Sequence, residues 1–416
     1  MRAILRQRPL RFVFAANMIS MFGSGMNSAA VGWYILQATH NEMALGMLIV
    51  LQTVPAMLLL PFSGVVIDRE DRRRLVMWLD ALRGLVILTV AILALQHRAQ
   101  VWELYLMNTL VAAGFWMFWP TITALIQEIT PEGQFVQSNT FLMAGVQGGW
   151  LTAGAVVGFM YNHIGLGGVL LIDVSTYVAS FLCYLAVRKG RHVVIHPDEL
   201  RADIIAAENQ LQRFLRDMRE AVHFLRGQRA VVLLGISWAL FLGAMMTGNI
   251  VTPSLSDRIF HAGANGYGWL FAGWGTGAFV STLYTAGAIA RLGTRRTIVF
   301  SMALLSVSMA CAPVSRFLYA AILTYFVMGS ARGVGGVAMN TRAMEMVPKH
   351  LMGRVQTSFN LTGTSLQLVL ALVVGSVAHK IGLVAAYAII AVVYGLSFVA
   401  ATVPVEARVA EQVAAE

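Results

Sequence analysis

The sequence predicts an all-α integral membrane protein with twelve transmembrane helices, organised as two six-helix halves. Hydrophobic residues make up 58% of the 416 residues and charged residues only 12%, whereas soluble domains are about 45–50% apolar and about 25% charged. Apolar runs recur at about the 20 residues that a helix needs to cross a bilayer, and they lack the two-residue alternation of membrane strands. Polar patterns of the first half return in the second.

The predicted spans fall near residues 12–37, 44–67, 75–96, 102–126, 138–160, 165–187, 230–254, 265–290, 297–314, 317–340, 355–378 and 382–403. The long polar segment after the sixth span divides the chain into an N-terminal bundle, 1–187, a connector, 188–229, and a C-terminal bundle, 230–416. Apolar residues recur at steps of three or four in this connector, which predicts an amphipathic helix at the cytoplasmic membrane surface. They are Leu211, Leu215, Met218, Val222 and Leu225.

The distribution of positive charge predicts the orientation of the chain. When the connectors are assigned alternately to two sides, 24 of the 30 Lys and Arg residues fall on the side of the N-terminus and four on the other. Cytoplasmic loops are the ones enriched in Lys and Arg, so both termini and the connector are expected in the cytoplasm. The net charge of +10 is therefore interpreted as a topology signal, and no nucleic-acid partner is expected.

The second half of the chain repeats features of the first. The stretch GVVIDREDRRRLV, which begins at Gly64, corresponds to GAIARLGTRRTIV, which begins at Gly287. Glu128 in EITPEG similarly corresponds to Glu345 in EMVPKH, again about 220 residues later. Two six-helix repeats related by an axis along the membrane normal are the plan of one large class of transporters.

The loop after the second span carries a family resemblance. Its pattern G-x-x-x-D-R-x-x-R-R is formed by Gly64, Asp68, Arg69, Arg72 and Arg73, and it resembles the signature loop between helices two and three of the major facilitator superfamily. The resemblance implies two pseudo-symmetric bundles around a central cavity. It also implies that this loop latches the two halves on the cytoplasmic face, with Asp68 meeting the start of span eleven.

Two details refine the resemblance. The corresponding arginines of the second half, Arg295 and Arg296, are assigned to the same latch, whereas Asp71 stands where the family usually has glycine. The segments LIDVSTYVAS, FLRDMREAVHFLRGQRAVVLL and MGRVQTSFN are similar to a bacterial efflux branch that includes enterobactin and macrolide exporters.

What the resemblance implies is a secondary transporter of the bacterial cytoplasmic membrane that works by alternating access. The expected activity is proton-coupled export of a bulky amphipathic compound such as a drug, a macrolide or a siderophore. A lysolipid or lipid flippase, or a uniporter of the same fold, is the alternative. Protons, membrane lipid and a small amphipathic molecule are the expected partners, and the protein is expected to act as a monomer without a cofactor.

Ionisable side chains within spans are functional candidates because each one is costly to bury in a bilayer. Asp173 in span six has no basic neighbour in its own span, and Arg332 in span ten lies among small residues; both are candidates for proton coupling. Asp80 and Arg83 lie three positions apart on span three and are interpreted as a structural ion pair.

Polar and aromatic residues in the spans expected to line the cavity form a second set of candidates. They are Asn17, Asn27, Asn108, Trp116, Trp238, Asn249, Trp274, Asn360 and Gln367. Aromatic faces suit organic cations, although packing and interfacial anchoring also explain many of these residues. Span four lacks the arginine that this superfamily often links to proton coupling, which sets this chain apart from the standard arrangement.

Other classes of function are disfavoured by missing motifs. No lysine is followed by Ser or Thr, as a phosphate-binding loop requires, so this chain is not expected to hydrolyse ATP. It contains neither H-E-x-x-H nor G-x-S-x-G, the signatures of two common hydrolase sites, and no enzymatic activity is expected. Cys183 and Cys311 lie within apolar runs, so neither a disulfide nor a metal site is predicted.

Overall fold

The computed structural model of the chain describes residues 7–69, 71–130, 135–187, 212, 216, 218–315, 317–348 and 351–403. All regular secondary structure in these ranges is helical. The prediction of an all-α protein is therefore confirmed.

The first half contains helices α1 to α6. They are α1, Arg8–Thr39; α2, Glu42–Arg69; α3, Arg72–Leu95; α4, Val101–Ile129; and the continuous helical run Phe135–Leu185. Gly165 divides this run into α5, 135–164, and α6, 166–185, because its φ of 63° is not helical. Glycine tolerates positive φ without a steric penalty. A single residue is therefore enough to turn the chain between the two helices.

The second half contains helices α7 to α12. They are α7, Arg229–Ile259; α8, Gly263–Leu292; α9, Thr294–Cys311; α10, Leu318–Met346; α11, Met352–Lys380; and α12, Leu383–Thr402. The twelve helices correspond in order to the twelve predicted spans. By length and composition, eight apolar stretches of the described chain could cross a membrane: α3, α4, Val156–Leu185, α7, Thr294–Val314, α10, α11 and α12.

The helix ends follow from local side chains. Asp71 caps α3 by accepting hydrogen bonds from the backbone N–H groups of Arg73 and Arg74, at 3.0 and 3.2 Å. Gln100 and Glu103 form a capping box at the start of α4. Both arrangements satisfy backbone donors that the first turn of a helix leaves without partners.

The chain divides into two compact units. Unit 1 comprises residues 1–40 and 50–212, and unit 2 comprises residues 41–49 and 213–416. The first turns of α2 thus belong to unit 2. The predicted division into an N-terminal bundle, 1–187, a connector, 188–229, and a C-terminal bundle, 230–416, stays a prediction.

Within unit 1, α1 packs along the run that contains α5 and α6, and α3 packs between that run and α4. Within unit 2, α10 contacts α8 and α9, while α7 contacts α11 and α12. Gly277 of α8 and Gly329 of α10 each face the backbone of the other helix. Residues as small as glycine let two helices approach closely in a membrane protein.

The described part of the connector is short. Residues 218–227 are helical, with Ala221 buried and Val222 exposed. Leu211 and Leu215 lie outside the described residues, so the predicted amphipathic helix is described only in its second half. Its location at the membrane surface stays a prediction.

Candidate proton and substrate sites

Asp173 lies on α6 and is completely buried. Its Oδ2 accepts a hydrogen bond of 2.8 Å from Asn27 Nδ2 on α1, and its Oδ1 accepts a long bond of 3.4 Å from the Thr176 hydroxyl. Both direct donors to the carboxylate are neutral groups. Its own span has no basic neighbour either, and its role in proton coupling stays a prediction.

One face of α6 carries a stripe of polar side chains. Thr176, Tyr177, Ser180 and Tyr184 follow Asp173 at the three- and four-residue spacing that places residues on one side of a helix. All five residues of this stripe are buried. The Tyr177 and Ser24 hydroxyls share a hydrogen bond of 3.0 Å, so a second contact ties this stripe to α1.

Asp80 and Arg83 form the predicted ion pair on α3. The pair is not confined to α3, however. Ser180 donates a hydrogen bond of 2.6 Å to Asp80 Oδ2, and the guanidinium of Arg83 lies over the rings of Phe118 and Tyr177, at 4.5 and 4.9 Å from their centroids. The pair therefore packs directly against the polar stripe of α6.

We call Asp80, Arg83, Asp173, Tyr177 and Ser180 the α6 network. It places two fully buried carboxyl groups around a single buried guanidinium, which is close enough to Asp173 to interact with it electrostatically. If both carboxyl groups are ionised, the network has an uncompensated negative charge in a low-dielectric interior. One proton removes that charge, and Asp173 is the carboxyl group without a direct ion pair.

Arg332, the second candidate for proton coupling, lies on α10 in unit 2. Its Nη2 donates to the sulfur of Met245 on α7 at 2.9 Å, and its guanidinium lies 4.9 Å from the ring centroid of Trp274 on α8. Its Nε is buried without a hydrogen-bond partner. These contacts lie within unit 2, just as those of Asp173 lie within unit 1.

The predicted cavity residues have different surroundings. Trp238 donates a hydrogen bond of 3.0 Å to Asn360, which joins two candidates across α7 and α11. Asn108 is buried and bonded to Gln52 at 2.9 Å and to the Leu104 carbonyl, so its amide is held by other protein groups. Asn17 is also buried, and its side-chain oxygen lacks a partner.

The remaining cavity candidates have more accessible side chains. Trp116 and Asn249 are exposed, whereas Trp274 and Gln367 are partly buried. The amide of Asn249 lies 3.7 Å from the sulfur of Met246. Substrate contact by any of these residues stays a prediction.

Two arginines of the predicted latch, Arg73 and Arg295, connect helices within each unit. Arg73 donates to the carbonyls of Tyr184 and Leu185 at the end of α6, at 2.7 and 3.0 Å. Arg295 donates in the same way to the carbonyls of Ala401 and Thr402 at the end of α12, at 3.3 and 2.7 Å. The third helix of each unit is thereby attached to the sixth.

This correspondence is shifted by one position from the one predicted from sequence. The alignment of the two glycines pairs Arg72 with Arg295, but the contacts pair Arg73 with Arg295. Arg72 instead lies 3.4 Å from Glu128 on α4, and Thr294 bonds Glu345 on α10 at 3.0 Å. Glu128 and Glu345, which correspond in the sequence repeat, thus contact the first residues of α3 and α9, respectively.

The other latch residues are less defined. Arg296 is exposed. The side chains of Asp68 and Arg69, and the surroundings of Gly64, lie outside the described part of the structure. The departure at Asp71 has a structural explanation, because its carboxylate caps α3. Asp71 has a φ of −59°, a backbone conformation that does not require glycine.

One group of charged residues was not predicted. Glu42 at the start of α2 is fully buried, and its carboxylate lies 2.9 Å from Arg258 on α7 and 3.8 Å from His379 on α11. The predicted second span begins at residue 44, so Glu42 lies outside it. The only available signal was a carboxylate adjacent to a span, which is too common to single out a residue.

The comparisons with known proteins identify the family. The model of the Major Facilitator Superfamily matches residues 13–258 and again 233–416. The chain belongs to the major facilitator superfamily. It is therefore a multi-pass membrane protein of a transporter family, as the loop and the internal repeat predicted.

Similar proteins share limited sequence identity with this member of the superfamily. Macrolide efflux protein A of Streptococcus pyogenes is 21% identical over 249 residues, which cover 60% of this chain and 59% of the relative. The chain thus spans less than two thirds of that relative's length. The MFS-type transporter YfiS of Bacillus subtilis is 22% identical over 84% of this chain and 82% of its own.

Solved structures with the same fold include a bacterial homologue of the iron transporter ferroportin, captured in an inward-facing state. It has a TM-score of 0.74 and 13% identity, over 95% of this chain and 99% of that one. The nucleoside transporter NupG has a TM-score of 0.72 and 12% identity, over 95% and 100% of the two chains. At this identity the likeness concerns the fold alone.

Proposed function

We propose that the protein is a proton-coupled exporter of bulky amphipathic compounds and works by alternating access in the bacterial cytoplasmic membrane. Membership of the superfamily and the similarity to a macrolide efflux protein support this proposal. In it, the protein acts as a monomer without a cofactor, both termini are cytoplasmic, and Gly64, Asp68 and Arg69 belong to the cytoplasmic latch.

The observation that carries the proposal is the burial of Asp173 in the α6 network. Its two direct side-chain donors, Asn27 and Thr176, are neutral, while Arg83 is already bonded to Asp80. A carboxylate without a direct counter-charge is strongly disfavoured inside a membrane protein. Asp173 is therefore suited to bind a proton in one state and to release it when water or a cation reaches it.

The network also provides a physical route from protonation to movement. Deprotonation of Asp173 creates a negative charge next to Arg83, whose Nη1 is buried without a hydrogen-bond partner. This nitrogen can turn toward the new carboxylate, which would weaken the bond to Asp80. Because Asp80 and Asp173 lie on α3 and α6, a shift of Arg83 changes how these helices are attached to each other.

The first test measures proton movement in inside-out vesicles with an acidic interior. Wild type and Asp173→Asn are challenged with macrolides, lipophilic cations, siderophores and lysolipids, and a pH-sensitive dye reports discharge of the gradient. At least one compound should discharge it through wild type, and Asp173→Asn should lower that rate by roughly tenfold or more because it removes a titrating carboxyl group.

The matched control is Asp257→Asn, which removes an exposed carboxylate outside the network. This variant should discharge the gradient like wild type. Equal rates for wild type and Asp173→Asn would contradict the role of Asp173. Transport of a lysolipid without proton movement would instead favour a flippase or a uniporter.

A further inference from the structure

The two arginines within the spans differ in their partners. Arg83 is completely buried and bonded to Asp80, whereas the bonded partner of Arg332 is the sulfur of Met245. A thioether is only a weak acceptor, and it carries no charge to balance the guanidinium. Arg332 lies fourteen residues into α10, far from either end of that helix.

The carboxylates described in unit 2 have positions or partners that leave Arg332 without a salt bridge. Glu42 pairs with Arg258, and Glu220 pairs with Arg354. Glu345 lies thirteen residues further along α10, about 20 Å at 1.5 Å per residue, and bonds Arg342 and Thr294.

The fourth of these carboxylates, Asp257, is exposed near the end of α7. The described part of unit 2 thus shows no ion pair for Arg332. A guanidinium within a membrane span costs several kcal/mol when no anion balances it.

The stacking on Trp274 offsets only part of this cost. Cation–π contacts contribute about 2 kcal/mol when they are shielded from water, and the Nε of Arg332 remains buried without an acceptor. The planar guanidinium can bind a carboxylate or phosphate through two parallel hydrogen bonds. An anionic group next to this nitrogen would supply both the missing acceptor and the missing counter-charge.

The surroundings of Arg332 are apolar and aromatic. Trp274 contacts Phe271 edge to face at 5.7 Å, and Tyr394 on α12 is close enough to interact with Arg332 electrostatically. Tyr394 also lies against Phe241, with ring centroids 6.4 Å apart. A single positive charge thus lies among aromatic rings and the thioether of Met245.

We propose that Arg332 binds the anionic group of an amphipathic substrate, a carboxylate, phosphate or sulfonate, while Trp274, Phe271 and Met245 contact its apolar body. This inference narrows the substrate class of the proposed exporter and therefore rests on the proposed function. It assigns specificity to unit 2 and proton handling to the α6 network of unit 1.

The test measures binding to the full-length protein in phosphatidylcholine nanodiscs. Dodecyl phosphate, dodecyl maltoside and dodecyltrimethylammonium share one apolar chain and differ in the charge of the head group. Quenching of tryptophan fluorescence follows binding, and Trp274→Phe identifies the contribution of that residue among the nine tryptophans. Wild type should bind the phosphate at least about tenfold more tightly than the cation.

Variants assign this preference to the guanidinium. Arg332→Gln should abolish it, and Arg332→Lys should retain part of it because a lysine keeps the charge but loses the two-point geometry. Arg291→Gln, which changes an exposed arginine on α8, should leave it intact. If Arg332→Gln does not fold, a weaker preference in Arg332→Lys beside an intact one in Arg291→Gln still decides the question.

Further probes distinguish the source of the anion. Lysophosphatidylglycerol represents a lipid head group, and naphthoate represents a soluble anion. Tighter binding of either one supports the site and shows whether the bound anion belongs to a lipid or to a soluble molecule. Equal affinity for the three dodecyl probes, or an unchanged preference in Arg332→Gln, would overturn the inference. Asp173→Asn should keep the preference, so a failure of proton coupling and a failure of this site are measured separately.

Discussion

Glycine residues next to the α6 network show how closely its side chains are enclosed. A Cβ added to Gly23 on α1 would collide with the Thr176 hydroxyl and the carboxylate of Asp173. A Cβ added to Gly114 on α4 would lie 2.9 Å from the Cγ of Arg83. The two ionisable side chains, Asp173 and Arg83, therefore lie against helix surfaces that have no side chain of their own at the point of contact.

This enclosure predicts that two alanine substitutions on the same helix have different effects on transport. Gly23→Ala should displace Asp173 or Thr176 and impair proton-coupled discharge in the vesicle assay. Gly32→Ala meets no atom within 4 Å and should leave transport unchanged, with a gain of up to about 1 kcal/mol from the higher helix propensity of alanine. Equal activity of the two variants would show that Gly23 does not enclose the site.

The sequence identified Asp173, Arg332, Asp80 and Arg83 as unusual because charge within a span is rare. It could not show that Ser180, a hundred positions after Asp80, donates to that carboxylate. Such contacts depend on which faces of α3 and α6 meet, and this choice is not encoded in the spacing of one helix. The hydrogen bond between Trp238 and Asn360 could not be predicted for the same reason.

At the scale of the elements, the ties between third and sixth helices are the clearest repeated feature. A guanidinium at the end of a helix satisfies carbonyls that have no partner within it and complements the negative end of the helix dipole. The positions of the helices could be predicted because the length of an apolar run is read directly from consecutive residues. The role of Arg73 could not be predicted, because its acceptors lie more than a hundred residues further along the chain.

These ties predict a graded loss of stability. Arg73 is buried and bonds two carbonyls, so Arg73→Gln should lower the free energy of unfolding by about 2 kcal/mol. Arg295→Gln should cost less because Arg295 is exposed. Thermal unfolding in detergent measures both variants.

Arg74→Gln is the control for these two substitutions, since the side chain of Arg74 is 55% exposed. Its unfolding temperature should match that of wild type. A loss in Arg74→Gln as large as that in Arg73→Gln would indicate a general effect of positive charge in this loop rather than a helix tie.

At the scale of the whole molecule, α2 is the element that both units share. Residues 41–49 belong to unit 2, and the rest of the helix belongs to unit 1. Gly46 faces the backbone of Ala371, and Gly375 would place a Cβ 3.0 Å from the carbonyl oxygen of Glu42. The start of α2 is thus closely packed on α11 as well as ion-paired.

This attachment predicts measurable coupling between Glu42 and Arg258. The arginine side chain is 41% exposed, so the pair should contribute only about 1 kcal/mol. A double-mutant cycle of Glu42→Gln and Arg258→Gln, followed by thermal unfolding at low and high salt, should give a coupling energy that falls as salt increases. Additive effects of the two substitutions would show that the pair does not stabilise this contact.

The shared helix also has a consequence for synthesis of the protein. Glu42 leaves the ribosome 216 positions before Arg258, which at about 5–20 residues per second corresponds to roughly 10–40 s. During that interval the first turns of α2 lack the helices on which they finally pack. Completion of unit 2 therefore depends on a segment made near the beginning of translation.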